Sequence, residues 1–310
     1  MLDRNSIVKL ICTSAFAIIS MMGMHCYAQD QESDLMKMLP VIPPELTEPA
    51  QRAEYFILHF WDNFDFRDTT FLMTDHLLER CFVDYVDMLL LVPEDVKEKS
   101  IESLLKKSEE THSLFSLLLE FGERYLYEPA SPVYNEEILI HFMRYAVQSS
   151  SLQDAEKYRP AFLLENCMKN RIGTVANDFT YTLINGEKDN FHTLKADLTL
   201  LYFNDPDCDD CRMLIKQLIA SPVITQRIGS GTLKIVTVYV NDDLEAWKKH
   251  ASDVSPSWIY SYDAEQKINS EAIYNIKQFP TLYLLDNEKK VILKDTTFEK
   301  LEEHLKNVLL

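Results

Sequence analysis

Positive charge is in short supply. The 310 residues carry 31 Lys and Arg against 49 Asp and Glu, a formal net charge of −18, and so acidic a chain repels nucleic acid and anionic membrane surfaces. Glycine is scarce as well: there are six in all, with only Gly122 between residues 49 and 170. No glycine-rich phosphate loop and no Gly-x-Ser-x-Gly elbow occurs, which removes two common signatures of nucleotide binding and serine hydrolysis. β-Branched alternating runs are missing before about residue 178, and no period of roughly 20 to 50 residues repeats, so the first half reads as helical without being a solenoid. Paired metal spacing is also lacking. There is no second Cys-x-x-Cys and no His-x-x-x-His, and His59, His76, His112 and His141 are scattered, each read as a surface or satisfied core histidine.

Arg4 and Lys9 accompany an uncharged apolar stretch from Leu10 to Met24, and Cys26-Tyr27-Ala28 ends on the small residue that a signal peptidase favours. Residues 1–28 therefore read as an export signal, with Gln29 first in the mature, periplasmic chain. The apolar run is shorter than the roughly 20 residues that span a bilayer, so a retained membrane anchor ranks behind cleavage. Lipidation at Cys26 also ranks behind, because His25 stands where a small residue is expected. Export leaves Cys81, Cys167, Cys208 and Cys211 in an oxidising compartment.

Residues 29–48, with Pro40, Pro43 and Pro44, suggest an extended lead-in. From Ala53 the positions Phe56, Ile57, Phe60, Trp61 and Phe64 recur at helical spacing, and Phe82, Tyr85, Val86, Leu89 and Leu90 repeat the pattern. Short helices continue through Ile101–Leu105, Leu114–Tyr125, Ile138–Val147 and Tyr158–Cys167, broken by Pro93 and by Pro129 and Pro132. Residues 49–170 are expected to form an all-helical domain. Cys81 and Cys167 lie in apolar helical contexts and read as packing thiols. Asp62, Asp65 and Asp68 read as a solvated face or capping set.

β-Structure is expected beyond residue 171. Phe179–Leu183 and Phe191–Leu194 flank Asn185-Gly186 as a hairpin. Leu198–Phe203 and Lys234–Val240 read as buried strands, and Phe279–Asp286 reads as a strand opened by Pro280. Asp242–His250 reads as a helix, and Thr296 with Glu299 as a capping box for the last one. Between strand and helix stands Asp205-Pro206-Asp207-Cys208-Asp209-Asp210-Cys211. Two cysteines at i and i+3 can close a small disulfide across the first turn of a helix, where unpaired N–H groups favour thiolate on the first sulfur. On the motif alone, a redox pair, a structural disulfide and half of a zinc site all stay open. A calcium loop does not, because Asp210 and Lys216 stand where an EF-hand needs glycine and glutamate.

Three segments together resemble the thioredoxin superfamily, specifically its secreted TlpA/ResA-like and peroxiredoxin-like thiol–disulfide oxidoreductases: Gly173–Phe179, Phe203–Cys211, and Tyr274-Asn275-Ile276 through Pro280-Thr281. The helical half resembles a domain of unknown function that precedes this fold in some secreted bacterial proteins. Phe60–Phe66, Tyr125–Pro132 and Asn170-Arg171 carry that likeness.

The resemblance implies a thioredoxin-like α/β domain over residues 171–310, a central mixed sheet with flanking helices. It implies that Cys208 attacks, Cys211 resolves, and Pro280 lies against the pair in a cis-proline loop. Phe279, Pro206 and Thr281 would meet an extended substrate segment. Electrons would pass through the sulfurs, with no metal or organic cofactor, to protein or peptide thiols and disulfides, and a membrane electron donor is a further candidate partner. Two departures stand out. Tyr202 occupies the position of the buried acid of thioredoxin, so the proton of Cys211 needs another acceptor. Asp207, Asp209 and Asp210 surround Cys208 with negative charge, which opposes thiolate and favours the reducing direction. The rival readings are a binding or scaffold protein with a structural Cys-x-x-Cys bridge and, further off, a thiol peroxidase.

Overall fold

Pro49 and Pro93 sit where a helix tolerates or precedes its start, and the helices begin there. The computed structural model describes residues 39–68 and 75–308. The expected export signal, Cys26, Gln29 and the first half of the lead-in lie outside them, as does the side chain of His76. Two compact units divide the chain between Leu164 and Glu165.

In the first unit, α1 (Pro49–Leu58), α2 (Asp75–Leu89), α3 (Glu94–Ser108), α4 (His112–Gly122), α5 (Glu136–Gln148) and α6 (Asp154–Met168) follow in series. Helix α3 carries Glu94 and Asp95 in its first turn and Lys106 and Lys107 in its last, complementing the helix dipole. A π-helical turn, Glu123–Tyr127, continues α4, and Asn135 caps α5 by accepting the Ile138 N–H at 3.1 Å. The core is aromatic: Trp61 meets Phe60 and Phe64 edge-on at 5.0 and 5.5 Å. A buried polar chain ties three helices together, since the Tyr85 and Ser100 hydroxyls share a 2.8 Å hydrogen bond and Ser100 donates to Ile57 O at 2.7 Å. Helix α6 starts at Asp154 and runs through Pro160, so the expected start at Tyr158 is four residues late.

The second unit is built on a seven-stranded sheet. Its strands are β1 (Thr180–Leu183), β2 (Lys188–Asn190), β3 (Leu198–Asn204), β4 (Leu233–Tyr239), β5 (Ile259–Tyr262), β6 (Thr281–Leu285) and β7 (Val291–Lys294). They lie in the order β2-β1-β5-β4-β3-β6-β7. Central β3 runs parallel to β4 and antiparallel to β6, so the sheet is mixed. Helices α7 (Asp209–Ala220), α8 (Pro222–Gly229), α9 (Leu244–Lys249), α10 (Lys267–Ser270) and α11 (Phe298–Asn307) complete the unit. Alternation along β3 feeds two cores. Leu201 and Phe203 join Phe179, Phe191 and Tyr283 on one side, while Leu200 and Tyr202 join Cys211, Leu214 and Leu305 on the other. The Gly173–Phe179 segment runs beside β7, with Gly173 N donating to Val291 O and Ala176 N to Lys289 O.

Local details differ from the sequence reading. The second hairpin strand is Lys188–Asn190, and Phe191–Thr193 is a 3₁₀ turn, because the Asn190 side chain accepts the His192 N–H and ends the strand. Strand β5 was not expected, because Ile259-Tyr260-Ser261-Tyr262 is neither a continuous apolar run nor bounded by a recognised hairpin turn. Thr297, not Thr296, caps α11, and its partner is the N–H of Lys300, so there is no capping box. The unit boundary falls earlier than 170/171 because the end of α6 is bonded into the sheet unit. Asn170 donates to Ile273 O at 2.9 Å and accepts from Asn177 N at 2.7 Å, and Lys294 Nζ donates to Lys169 O at 2.7 Å.

Candidate active site

Strand β3 ends at Asn204, and the three residues between it and Cys208 are held from both sides. Asp205 accepts the Asp207 N–H at 2.9 Å and the Asn241 side-chain amide at 2.8 Å. Arg212, on the first turn of α7, donates to Pro206 O at 2.9 Å. These bonds set Cys208 at the N-cap of α7, where its sulfur accepts the Cys211 N–H at 3.3 Å. Charge on that sulfur is thus met by an unpaired helix N–H and the helix dipole. Cys208 is half-buried, whereas Cys211, one turn on, is 1% exposed. Both thiols are free.

Burial pushes the Cys211 thiol up to about 12, opposed by the Asp205 N–H and reinforced by the neighbouring Cys208 sulfur. Tyr202 rises from the centre of β3 and donates to Cys211 O at 3.0 Å. Its own burial pushes the phenol far up, so at neutral pH it is a donor and not a base.

The loop before β6 closes the other side. The Phe279–Pro280 peptide bond is cis, and Phe279 O accepts the Cys208 thiol at 3.6 Å, which places the cis-proline loop on the half-exposed sulfur. Lys277 and Asp295, both 9% exposed, pair at 3.8 Å behind it. The structure thus brings Cys208, Cys211, Phe279 and Pro280 together. Of the two other expected substrate-facing residues, Pro206 is buried and lines the pocket beside Cys211, and Thr281 is buried with its hydroxyl on Gln278 O at 2.7 Å. Thr281 thus holds its own loop from within. Asp207 and Asp210 are exposed, and exposed Asp209 is ion-paired with Arg212.

His250, which the sequence reading placed only at a helix end, belongs to this site. It lines a small, solvent-open pocket together with Asn204, Cys211 and Asp253, and its Nδ1 lies 2.7 Å from Asp253 Oδ2. The i, i+3 spacing of His250 and Asp253 was its only trace in the sequence. Among the described residues, no three His, Cys, Asp or Glu side chains are grouped to hold a metal ion.

Residues 22–170 match the family described as Domain of unknown function (DUF5106), and residues 196–291 the family described as Thioredoxin-like. A crystal structure of a thioredoxin-like protein from Bacteroides caccae is 38% identical, covers 86% of this chain and 97% of its own, and has a TM-score of 0.84. The C-terminal domain of an uncharacterized protein from Bacteroides fragilis is 42% identical over 45% of this chain and 99% of its own, with a TM-score of 0.44. The thioredoxin domain of a thiol–disulfide oxidoreductase from Bacteroides vulgatus is 23% identical over 44% of this chain and 95% of its own, with a TM-score of 0.39. Comparison with curated proteins found no match. With its mixed sheet, its cis-proline loop and a relative similar along nearly its whole length, the chain belongs to the thioredoxin-like proteins and carries a DUF5106 domain ahead of the thioredoxin fold.

Proposed function

We propose that this protein is an exported thiol–disulfide oxidoreductase, TlpA/ResA-like, that reduces disulfides of protein or peptide partners through Cys208 and Cys211. The observation that carries the reading is the inequality of the two sulfurs. Cys208 is half-exposed at a helix N-cap against the Phe279 carbonyl, and Cys211 is buried one turn behind it. Cys208 thiolate attacks a partner disulfide, one partner sulfur leaves with the electron pair and takes a proton, and a mixed disulfide forms. Cys211 then loses its proton and attacks Cys208; the Cys208–Cys211 bond forms and the second partner sulfur departs as a thiol. Two electrons pass from the protein to the partner. A donor dithiol, which an exported protein would draw from the membrane, restores the pair. Export itself is supported by the charged, apolar and small-residue order of residues 1–28.

Trapping tests the reading. Cys211→Ser should accumulate mixed disulfides on Cys208 in cells, and Cys208→Ser should accumulate none. A Cys211→Ser protein that traps no partner would support the structural-bridge alternative.

A further inference from the structure

The second half-reaction leaves a question of proton transfer: Cys211 is buried, its thiol holds its proton to about 12, and Tyr202 cannot accept that proton at neutral pH. We infer that His250, oriented by Asp253, takes the proton of Cys211 through a water seated on Asn204 in the pocket that these residues line. The inference rests on the oxidoreductase reading and assigns the proton path of that site.

Three observations converge. First, Cys211 and His250 open onto the same pocket from opposite elements, the first turn of α7 and the segment after α9. Second, the imidazole is 22% exposed and its Nδ1 is engaged by Asp253 at 2.7 Å; with the Nδ1 proton on the carboxylate, Nε2 carries the lone pair and is the base. Third, Asn204 is 2% exposed and its Oδ1, among the described residues, lacks a hydrogen-bond partner. A buried amide oxygen left without a donor is costly, and a water in this largely apolar pocket supplies one while reaching the Cys211 and His250 groups that share the lining.

Carboxylates flank His250 on two sides. Asp207 Oδ1 lies 3.9 Å from Nε2, and Asp253 holds the other nitrogen. Arg212, across the pocket on α7, is turned to Asp209 and to Pro206 O. Asp205 is tied to Asn241 and to the Asp207 N–H. Tyr260, from β5, donates to Trp247 O at 2.6 Å. Two carboxylates therefore face the ring that becomes imidazolium, and the nearest guanidinium is engaged elsewhere.

The step balances as follows. The Cys211 S–H bond breaks, its proton passes to the water, and the water gives a proton to His250 Nε2. The Cys211 electron pair forms the bond to Cys208 while the Cys208–partner bond breaks. The departing sulfur keeps its pair and takes a proton from the imidazolium or from solvent.

Reduced full-length protein mixed with Ellman's reagent in a stopped-flow instrument separates the two sulfurs. The first thionitrobenzoate released reports attack by Cys208, and the second reports attack by Cys211 on the mixed disulfide. In His250→Gln the first phase should be unchanged and the second should slow about 100-fold near neutral pH, the scale of a lost general base. The deficit should vanish in alkali, where hydroxide removes the proton. Asp253→Asn should show a smaller slowing of the same phase. A second phase with unaltered rate and pH profile in His250→Gln would overturn the inference, as would equal slowing of both phases, which is the mark of a structural role. If the wild-type protein releases no second equivalent, the oxidoreductase reading itself fails, and that outcome is distinct from the other two.

Discussion

Four carboxylates lie within three residues of Cys208, yet they do not act alike. Asp205 is committed to Asn241 and to the Asp207 N–H, Asp209 is paired with Arg212, and exposed Asp207 faces His250 at 3.9 Å. An exposed, screened charge about 7 Å from the sulfur is worth on the order of 0.5 kcal/mol, and the Arg212 pairing offsets part of the contribution of Asp209. Replacing Asp209→Gly with Asp210→Pro should therefore favour the Cys208 thiolate, stabilise the dithiol and raise the reduction potential by about 30 mV. Equilibration with glutathione buffers checks the shift, and an unchanged potential would show that the acids do not tune the site. The buried thiols give a second residue-scale expectation. Burial pushes both Cys81 and Cys211 from 9.0 up to about 12, so the folded chain keeps protons that the unfolded chain sheds. That stability is fully present below about pH 9 and declines as pH climbs toward about 12. Urea unfolding of the reduced protein should show the decline, and Cys81→Ala with Cys211→Ala should flatten it.

At the scale of elements, β3 with α7 is the unit that makes the site. The buried run Leu200–Phe203 alternates into two cores, and its one polar side chain there, Tyr202, reaches over to hold Cys211 O. Tyr202→Phe should cost about 1 kcal/mol of stability while leaving the Cys208 phase of thiol exchange intact; a variant of unchanged stability would show that the bond is worthless. These elements were legible in the sequence because they are long and strongly patterned. Strands β3, β4 and β6, helix α7 with Cys208 at its head, and the helical series before them all stand within a few residues of where the pattern put them. What was not legible is short or non-local. Strand β5 has four residues, and the second hairpin strand gave way to a turn made by Asn190. Asn170 finds partners about a hundred positions away at Ile273. His250 could be seen at the site only once α7 and the segment after α9 were packed around one pocket.

At the scale of the whole molecule, the division at Leu164 and Glu165 predicts where the thioredoxin-like unit can be cut. A fragment of residues 165–310 keeps the bonds of Asn170 to Ile273 and Asn177 and of Lys294 to Lys169. A fragment of residues 171–310 loses them and should be less stable by roughly 1–3 kcal/mol in urea unfolding; equal stability would place the boundary later. The most direct test of the redox assignment is equilibrium titration of the chain from Gln29 to Leu310 in dithiothreitol and glutathione buffers, with alkylation and mass analysis reporting Cys208 and Cys211 at each potential. A working reductant should show one two-electron transition confined to that pair, between about −300 and −200 mV. A pair still oxidised well below about −300 mV would mark a structural bridge, and a midpoint near about −120 mV would mark a strong oxidant, either of which contradicts the proposed function.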